Sequence, residues 1–227
     1  MRGLTRLQRQ VAEIVLGAAA PHGFILAGGL GLVATGLSPR PTEDIDAFSS
    51  SAKDVRPAAD DVVAALEAEG FEVARDQSSS QFVRLLVVTG TARRRRQLKI
   101  ELSRDHQQWP PEETRLGPVL SPRELAANKA LALFSRVAPR DLCDVATLAT
   151  RMDLEGILED AAIKDPGFGR SILAEMIAMV CDRPDEEWPP VVDVDSVRAF
   201  GNKLAKALKT GKPVAGLQPE VPIWPQR

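Results

Sequence analysis

The chain has 227 residues, room for one large domain or two small ones at roughly 150 residues per domain. Hydrophobic residues make up 44% and charged residues 26%, which excludes a wholly disordered chain and supplies the apolar material for a core. With a net charge of −2, no tyrosine and 4% aromatics, neither a broadly basic nucleic-acid surface nor an aromatic platform for single strands is available, so any such contact has to come from a local patch.

In chain order, residues 4–19 form the first predicted helix, with Leu4, Leu7, Val11, Ile14 and Val15 on one face at three- and four-residue spacing. Arg2, Arg6, Arg9 and Glu13 interrupt its apolar positions, unlike the continuous block of a secretory signal. Pro21, His22 and Gly23 break it. The apolar run 24–27 reads as a buried strand that ends at Gly28 and Gly29, followed by a short helix over 30–37. Pro39 and Pro41 force a turn, and residues 42–48 alternate as a strand. A polar loop leads to a helix over 57–69, built on Val62, Val63 and Leu66 and stopped by Gly70.

Strands follow over 71–75 and 82–88. After them comes a basic run, Arg93, Arg94, Arg95 and Arg96, and a strand over 97–103 with Leu98, Ile100 and Leu102 on one face and Lys99, Glu101 and Ser103 on the other. Residues 110–113, Pro-Pro-Glu-Glu, read as a linker. From Ser121 onward the pattern is helical with proline joints, ending in an irregular tail over 213–227. The expected organisation is therefore α+β: a core with a mixed sheet over 1–108, then a helical region over 109–227. No apolar run approaches the ~20 residues of a membrane span, and Cys143 and Cys181 lack metal or disulfide spacing. A cytoplasmic protein with reduced thiols and no membrane partner is expected.

Four constellations can carry chemistry. Asp44 and Asp46 lie two apart on a strand, so both carboxylates point to one face, where their repulsion is relieved by a cation. Mg²⁺ suits such a pair, because it takes one or two carboxylates and leaves positions for substrate phosphates; Ile45 and Phe48 would then face the core. A solvated strand edge is the plainer reading. Gly28 and Gly29 before a helix allow close approach of backbone to a phosphate, or make a simple strand–helix turn. The loop lacks the lysine of a Walker loop and the spacing of a dinucleotide fingerprint. Glu101 supplies a third carboxylate to the same site if its strand neighbours that of Asp44 and Asp46; otherwise Lys99 and Glu101 make an exposed strand face.

The fourth constellation is the helix from Ser121, which opens with the capping box Ser121-Pro122-Arg123-Glu124. Lys129 stands between apolar neighbours there, and Arg136, Arg140, Asp141 and Asp144 follow. Ordinary surface salt bridges would account for these charges at no more than about 1 kcal/mol each. If Lys129 instead binds a triphosphate, Lys129→Ala is expected to weaken NTP binding and leave the helix intact.

Taken together, Gly28-Gly29, the segment Arg40-x-Thr42-x-Asp44-Ile45-Asp46, the strand 98–102 and the pattern Lys129-x-x-Ala132-Leu133-x-x-Arg136-x-x-x-Arg140-Asp141-x-x-Asp144 occur in an order that resembles the AbiEii/AbiGii family of nucleotidyltransferase toxins, which includes the MenT-type toxins. The resemblance covers roughly residues 20–150 and implies a DNA-polymerase-β-like nucleotidyltransferase fold. It implies that Asp44 and Asp46 are metal-binding and catalytic, with Glu101 as a third metal ligand where relatives commonly carry Asp. Gly28 and Gly29 match the phosphate-cradling turn, where some relatives have a serine after the first glycine, and Arg40 and Thr42 belong to the nucleotide site. Lys129 and Asp141 match the catalytic lysine and aspartate of the helical part, which the resemblance implies hold the triphosphate and complete the site. The implied cofactor is Mg²⁺, with two ions possible, and the substrate is an NTP, ATP among them. The implied acceptor is the 3′ end of tRNA, and a cognate antitoxin is the implied partner. Arg93 to Arg96 can hold an RNA backbone or form a solvated basic loop. The alternatives are nucleotidylation of a protein or of a small molecule such as an aminoglycoside, or a non-catalytic binding module; the joint presence of Asp44, Asp46, Lys129 and Asp141 argues against the last.

Overall fold

A capping box starts the first helix, α1 (Arg6–Ala19): the Thr5 hydroxyl accepts from the Gln8 N–H, and the Gln8 side chain accepts from the Thr5 N–H. Its buried side is Val11, Ala12, Val15, Leu16 and Ala19. The computed structural model describes residues 5–42, 44–89 and 96–225, and the chain forms two compact units, Met1–Pro122 and Arg123–Arg227.

In the first unit α1 is followed by β1 (Ile25–Ala27), α2 (Gly28–Ala34), β2 (Asp44–Ser49), α3 (Arg56–Ala68), β3 (Glu72–Ser78), β4 (Phe82–Thr89), β5 (Arg96–Arg104), β6 (Glu112–Thr114) and β7 (Gly117–Val119). The strands make one seven-stranded sheet in the order β3-β4-β5-β2-β1-β7-β6. The strands β3, β4 and β5 form an antiparallel meander, β2 runs parallel to β5 and antiparallel to β1, and β7 runs parallel to β1. The core lies on one face, where Ile45, Ala47, Val83, Leu85, Val87, Ile100 and Leu102 are fully buried and α1 and α3 pack. Alternation leaves the other face to the polar positions of β2 and β5.

Three local expectations change. Gly28 and Gly29 are the first residues of α2, which ends at Ala34. Phe48 shares the parity of Asp44 and Asp46, so it is half-buried on their face, and Ala47 takes the core position instead. Glu112 and Glu113 of the expected linker fall in β6 (Glu112–Thr114), which pairs with β7 and extends the sheet beyond β1. Three residues are too few to show a period of two, which is why the sequence pattern missed this strand.

The second unit holds α4 (Pro122–Ser135), α5 (Pro139–Ala149), α6 (Leu154–Lys164), α7 (Arg170–Cys181) and α8 (Val194–Lys209). Asp153 and Asp193 cap α6 and α8 by accepting from the N–H groups of Gly156 and Ser196. On α8, Gly201 permits close packing: a Cβ there would lie 2.7 Å from Cys181 Sγ and 2.9 Å from a Leu142 methyl. Burial in that contact pushes the Cys181 thiol up to about 11, so it is protonated and inert at neutral pH. The tail is irregular as expected, yet it is packed: Trp224 Nε1 donates to Thr147 Oγ1 at 2.9 Å, and Ile223 and Val214 are buried.

Glu155 also ties down the tail, accepting from Arg170 and, at 3.0 Å, from the Val214 N–H. The Arg170 hydrogen bond, then that N–H, hold its carboxyl below its ordinary value of 4.5. A carboxylate whose folded value is depressed adds stability above its unfolded value and loses it as pH falls through the folded one. Glu155→Gln is therefore expected to lower the melting temperature at pH 7 and to make the loss of stability below about pH 4.5 shallower than in the wild type. Parallel acid limbs in a thermal-melt series would remove this role.

Candidate active site

Strand alternation builds the first part of the site. Asp44 and Asp46 stand on the same face of β2, half-buried, while Ile45 and Ala47 between and beyond them are fully buried. On one side, β1 pairs Ala27 with Asp46, and the chain turns at once into α2 through Gly28, which has φ +59°. A Cβ on Gly28 would lie 1.7 Å from Asp46 Oδ2, so only glycine lets this carboxylate lie against the backbone. A Cβ on Gly29 would lie 2.9 Å from Thr42 Oγ1 and 3.2 Å from Arg40 Nη2. Gly28, Gly29, Arg40, Thr42 and Asp46 therefore form one cluster. Gln8 donates from its side-chain amide to the Thr42 carbonyl, a tether that sequence reasoning missed because it joins a helix to a loop 34 residues away.

On the other side, β5 places Lys99 beside Asp44 and Glu101 beside Asp46. The adjacency on which Glu101 depended is thus present. Its carboxylate is already engaged by cations, however. Arg84 Nε donates to Glu101 Oε1 at 2.9 Å, and Lys99 Nζ lies 3.5 Å from the same oxygen and 3.1 Å from Asp44 Oδ2. The Glu101 hydrogen bond raises the Arg84 guanidinium further above its ordinary value. Arg84 is a second group the sequence reading passed over; its signal was a lone charge in the apolar strand 82–88.

Among the described residues, no group of three or more His, Cys, Asp or Glu side chains is placed to hold a metal ion. Asp44 and Asp46 do fit the part of a Mg²⁺ shell that protein normally supplies, one or two carboxylates, with substrate phosphates filling the rest.

The second unit carries the remaining residues. Lys129 on α4 is 8% exposed, and its Nζ lies 2.8 Å from an oxygen of Asp144 on α5, which is fully buried. Asp141, also fully buried, accepts from Arg136 Nε at 2.7 Å and Nη2 at 3.0 Å. Pro139 in the first turn of α5 sets the helix start that brings Asp141 to this corner. The surface salt-bridge reading is corrected here: both aspartates and the lysine are interior. Arg93, Arg94 and Arg95 lie outside the described residues, and Arg96 begins β5 opposite Thr89.

A family model described as "Nucleotidyl transferase AbiEii toxin, Type IV TA system" matches residues 15–210. Two solved structures from Helicobacter pylori are similar in fold. The chain titled JHP933 has a TM-score of 0.60 at 16% identity, over 92% of this chain and 94% of that one. A chain titled "putative nucleotidyltransferase" has a TM-score of 0.60 at 18% identity, over 92% and 97%. No curated protein matches.

Proposed function

Because the chain belongs to the AbiEii family of nucleotidyl transferase toxins of Type IV toxin–antitoxin systems, we propose that it transfers a nucleoside monophosphate from an NTP to the 3′ end of tRNA, releasing pyrophosphate, and that a cognate antitoxin opposes it. The acceptor hydroxyl attacks the α-phosphorus, the bond from that phosphorus to the oxygen bridging the β-phosphate breaks, pyrophosphate leaves with that oxygen, and the hydroxyl proton passes to water. The observation that carries the reading is the carboxylate of Asp46 lying against the bare backbone of Gly28, with Asp44 on the same face. That geometry sets the Asp46 carboxylate beside the start of α2, on the face it shares with Asp44, which supports a metal-bound triphosphate being held there.

Asp44 and Asp46 are the residues that would hold Mg²⁺, which when bound neutralises the charge that develops on the phosphates. Arg40 and Thr42, close over Gly29, orient the nucleotide. In the helical unit, the family resemblance assigns Lys129, whose ammonium pairs with Asp144, to triphosphate binding, and Asp141 fixes Arg136. No described helix is long and apolar enough to cross a membrane.

Incubation with labelled NTPs and total bacterial RNA, and separately with total protein, tests the acceptor. Label on small RNA is the expected result; label on protein alone overturns the tRNA reading in favour of protein nucleotidylation. Replacing Arg93 to Arg96 together by alanine is expected to weaken RNA binding and to flatten its salt dependence, by nearly one unit of log–log slope for each phosphate that is no longer neutralised. NTP affinity is expected to stay the same. An unchanged slope would show that RNA docks elsewhere.

A further inference from the structure

The parallel register of β2 and β5 does something to the carboxylates that neither strand does alone. It sets Lys99 level with Asp44 and Glu101 level with Asp46. The lysine ammonium then reaches both flanks, 3.1 Å from Asp44 Oδ2 and 3.5 Å from Glu101 Oε1. Glu101 is held in place for this by Arg84, whose Nε reaches the same Oε1 at 2.9 Å and whose Nη1 lies 3.5 Å from Asp76. Lys99 is 30% exposed, so it is neither locked in the core nor waving in solvent.

We infer that Lys99 is a tethered counter-cation of the site described above: it neutralises the carboxylate row before nucleotide arrives, so that a divalent ion alone binds weakly and enters together with the triphosphate. The inference rests on Asp44 and Asp46 being the metal-holding pair. A small divalent ion and an ammonium compete for the same carboxylate oxygens, since both are stabilised by the negative charge concentrated there. The free ion must displace Lys99 and also bear its repulsion. A nucleotide-bound ion brings phosphate charge that can accept the displaced ammonium, so the cost falls when both arrive together. Lys99 is thus a positioning residue that makes metal uptake depend on nucleotide.

Mn²⁺ titration followed by electron paramagnetic resonance reads this without any transfer step. In the wild type, Mn²⁺ alone is expected to bind at least about tenfold more weakly than in the presence of a non-hydrolysable NTP analogue, the scale of one added unit charge at a part-exposed site. Lys99→Met is expected to raise the affinity for Mn²⁺ alone by about tenfold and to lower the metal-free melting temperature, with Mn²⁺ restoring it. Lys99→Arg, which keeps the charge, is expected to behave as the wild type. Adding Asp44→Asn to Lys99→Met is expected to abolish the gain. Unchanged Mn²⁺ affinity in Lys99→Met, or a gain that survives Asp44→Asn, overturns the inference. Failure of the tRNA reading would instead appear in the labelling assay while these titrations stayed as expected.

Discussion

Asp46→Asn is expected to abolish nucleotide transfer while leaving the protein as stable as the wild type or slightly more so. Asparagine has nearly the shape of aspartate, so the close approach to Gly28, where a Cβ would stand 1.7 Å from Oδ2, is kept. What changes is the charge. Removal of one preorganised electrostatic group costs roughly 10²- to 10³-fold in rate, and a carboxylate that also holds the metal belongs at or beyond the upper end of that range. Stability moves the other way, because Asp44 and Asp46 share one face of β2 and their repulsion is relieved. Single-turnover transfer and a thermal melt on the same preparation check both halves. Transfer at the wild-type rate would remove the two aspartates from the reaction.

Lys129→Ala is expected to cost both stability and NTP affinity, and a second pair of variants separates the two effects. The sequence alone predicted an intact fold, since alanine is a good helix former. The structure shows why that falls short. Lys129 is 8% exposed and its Nζ sits 2.8 Å from Asp144, which is fully buried. Removing one member of a buried pair leaves the other's charge poorly compensated, at a cost of about 3 kcal/mol. A urea titration is expected to show that drop. Replacing both partners, Lys129→Met with Asp144→Leu, is expected to recover part of the stability, because the Asp144 charge is no longer left without the lysine. Calorimetric titration with NTP and Mg²⁺ then decides the lysine's role. Binding that stays absent in the stable double variant assigns the ammonium to the triphosphate; binding that returns makes Lys129 a structural residue.

Local physics made much of the first unit readable. The strand that carries Asp44 and Asp46 announces itself by alternation, and the same alternation already puts both carboxylates on one face. Gly28 and Gly29 stood out as a strand–helix turn, and only their order with the other motifs pointed to a phosphate. Phe48 differs from expectation because it shares the parity of Asp44 and Asp46, and β6 leaves no pattern because three residues are too short for any period. The ordered set of motifs was enough to indicate the family, and the matching family model spans residues 15–210.

By itself, then, the sequence determined which residues share a face of one strand or one helix, and in what order the chemical groups appear. Those properties depend on neighbours a few positions apart. The tertiary structure alone decided what lies across from them. The pairing of Lys99 with Asp44 and of Arg84 with Glu101 follows from strand register, which is set by packing of a whole face and leaves no mark within either strand. The burial of Lys129 was equally hidden. On α4 the buried residues include Glu124, Leu125, Ala126, Ala127, Lys129, Ala130 and Leu133, spread around the helix rather than along one stripe. A helix covered on most sides has no polar face by which its sequence could show which charges are interior.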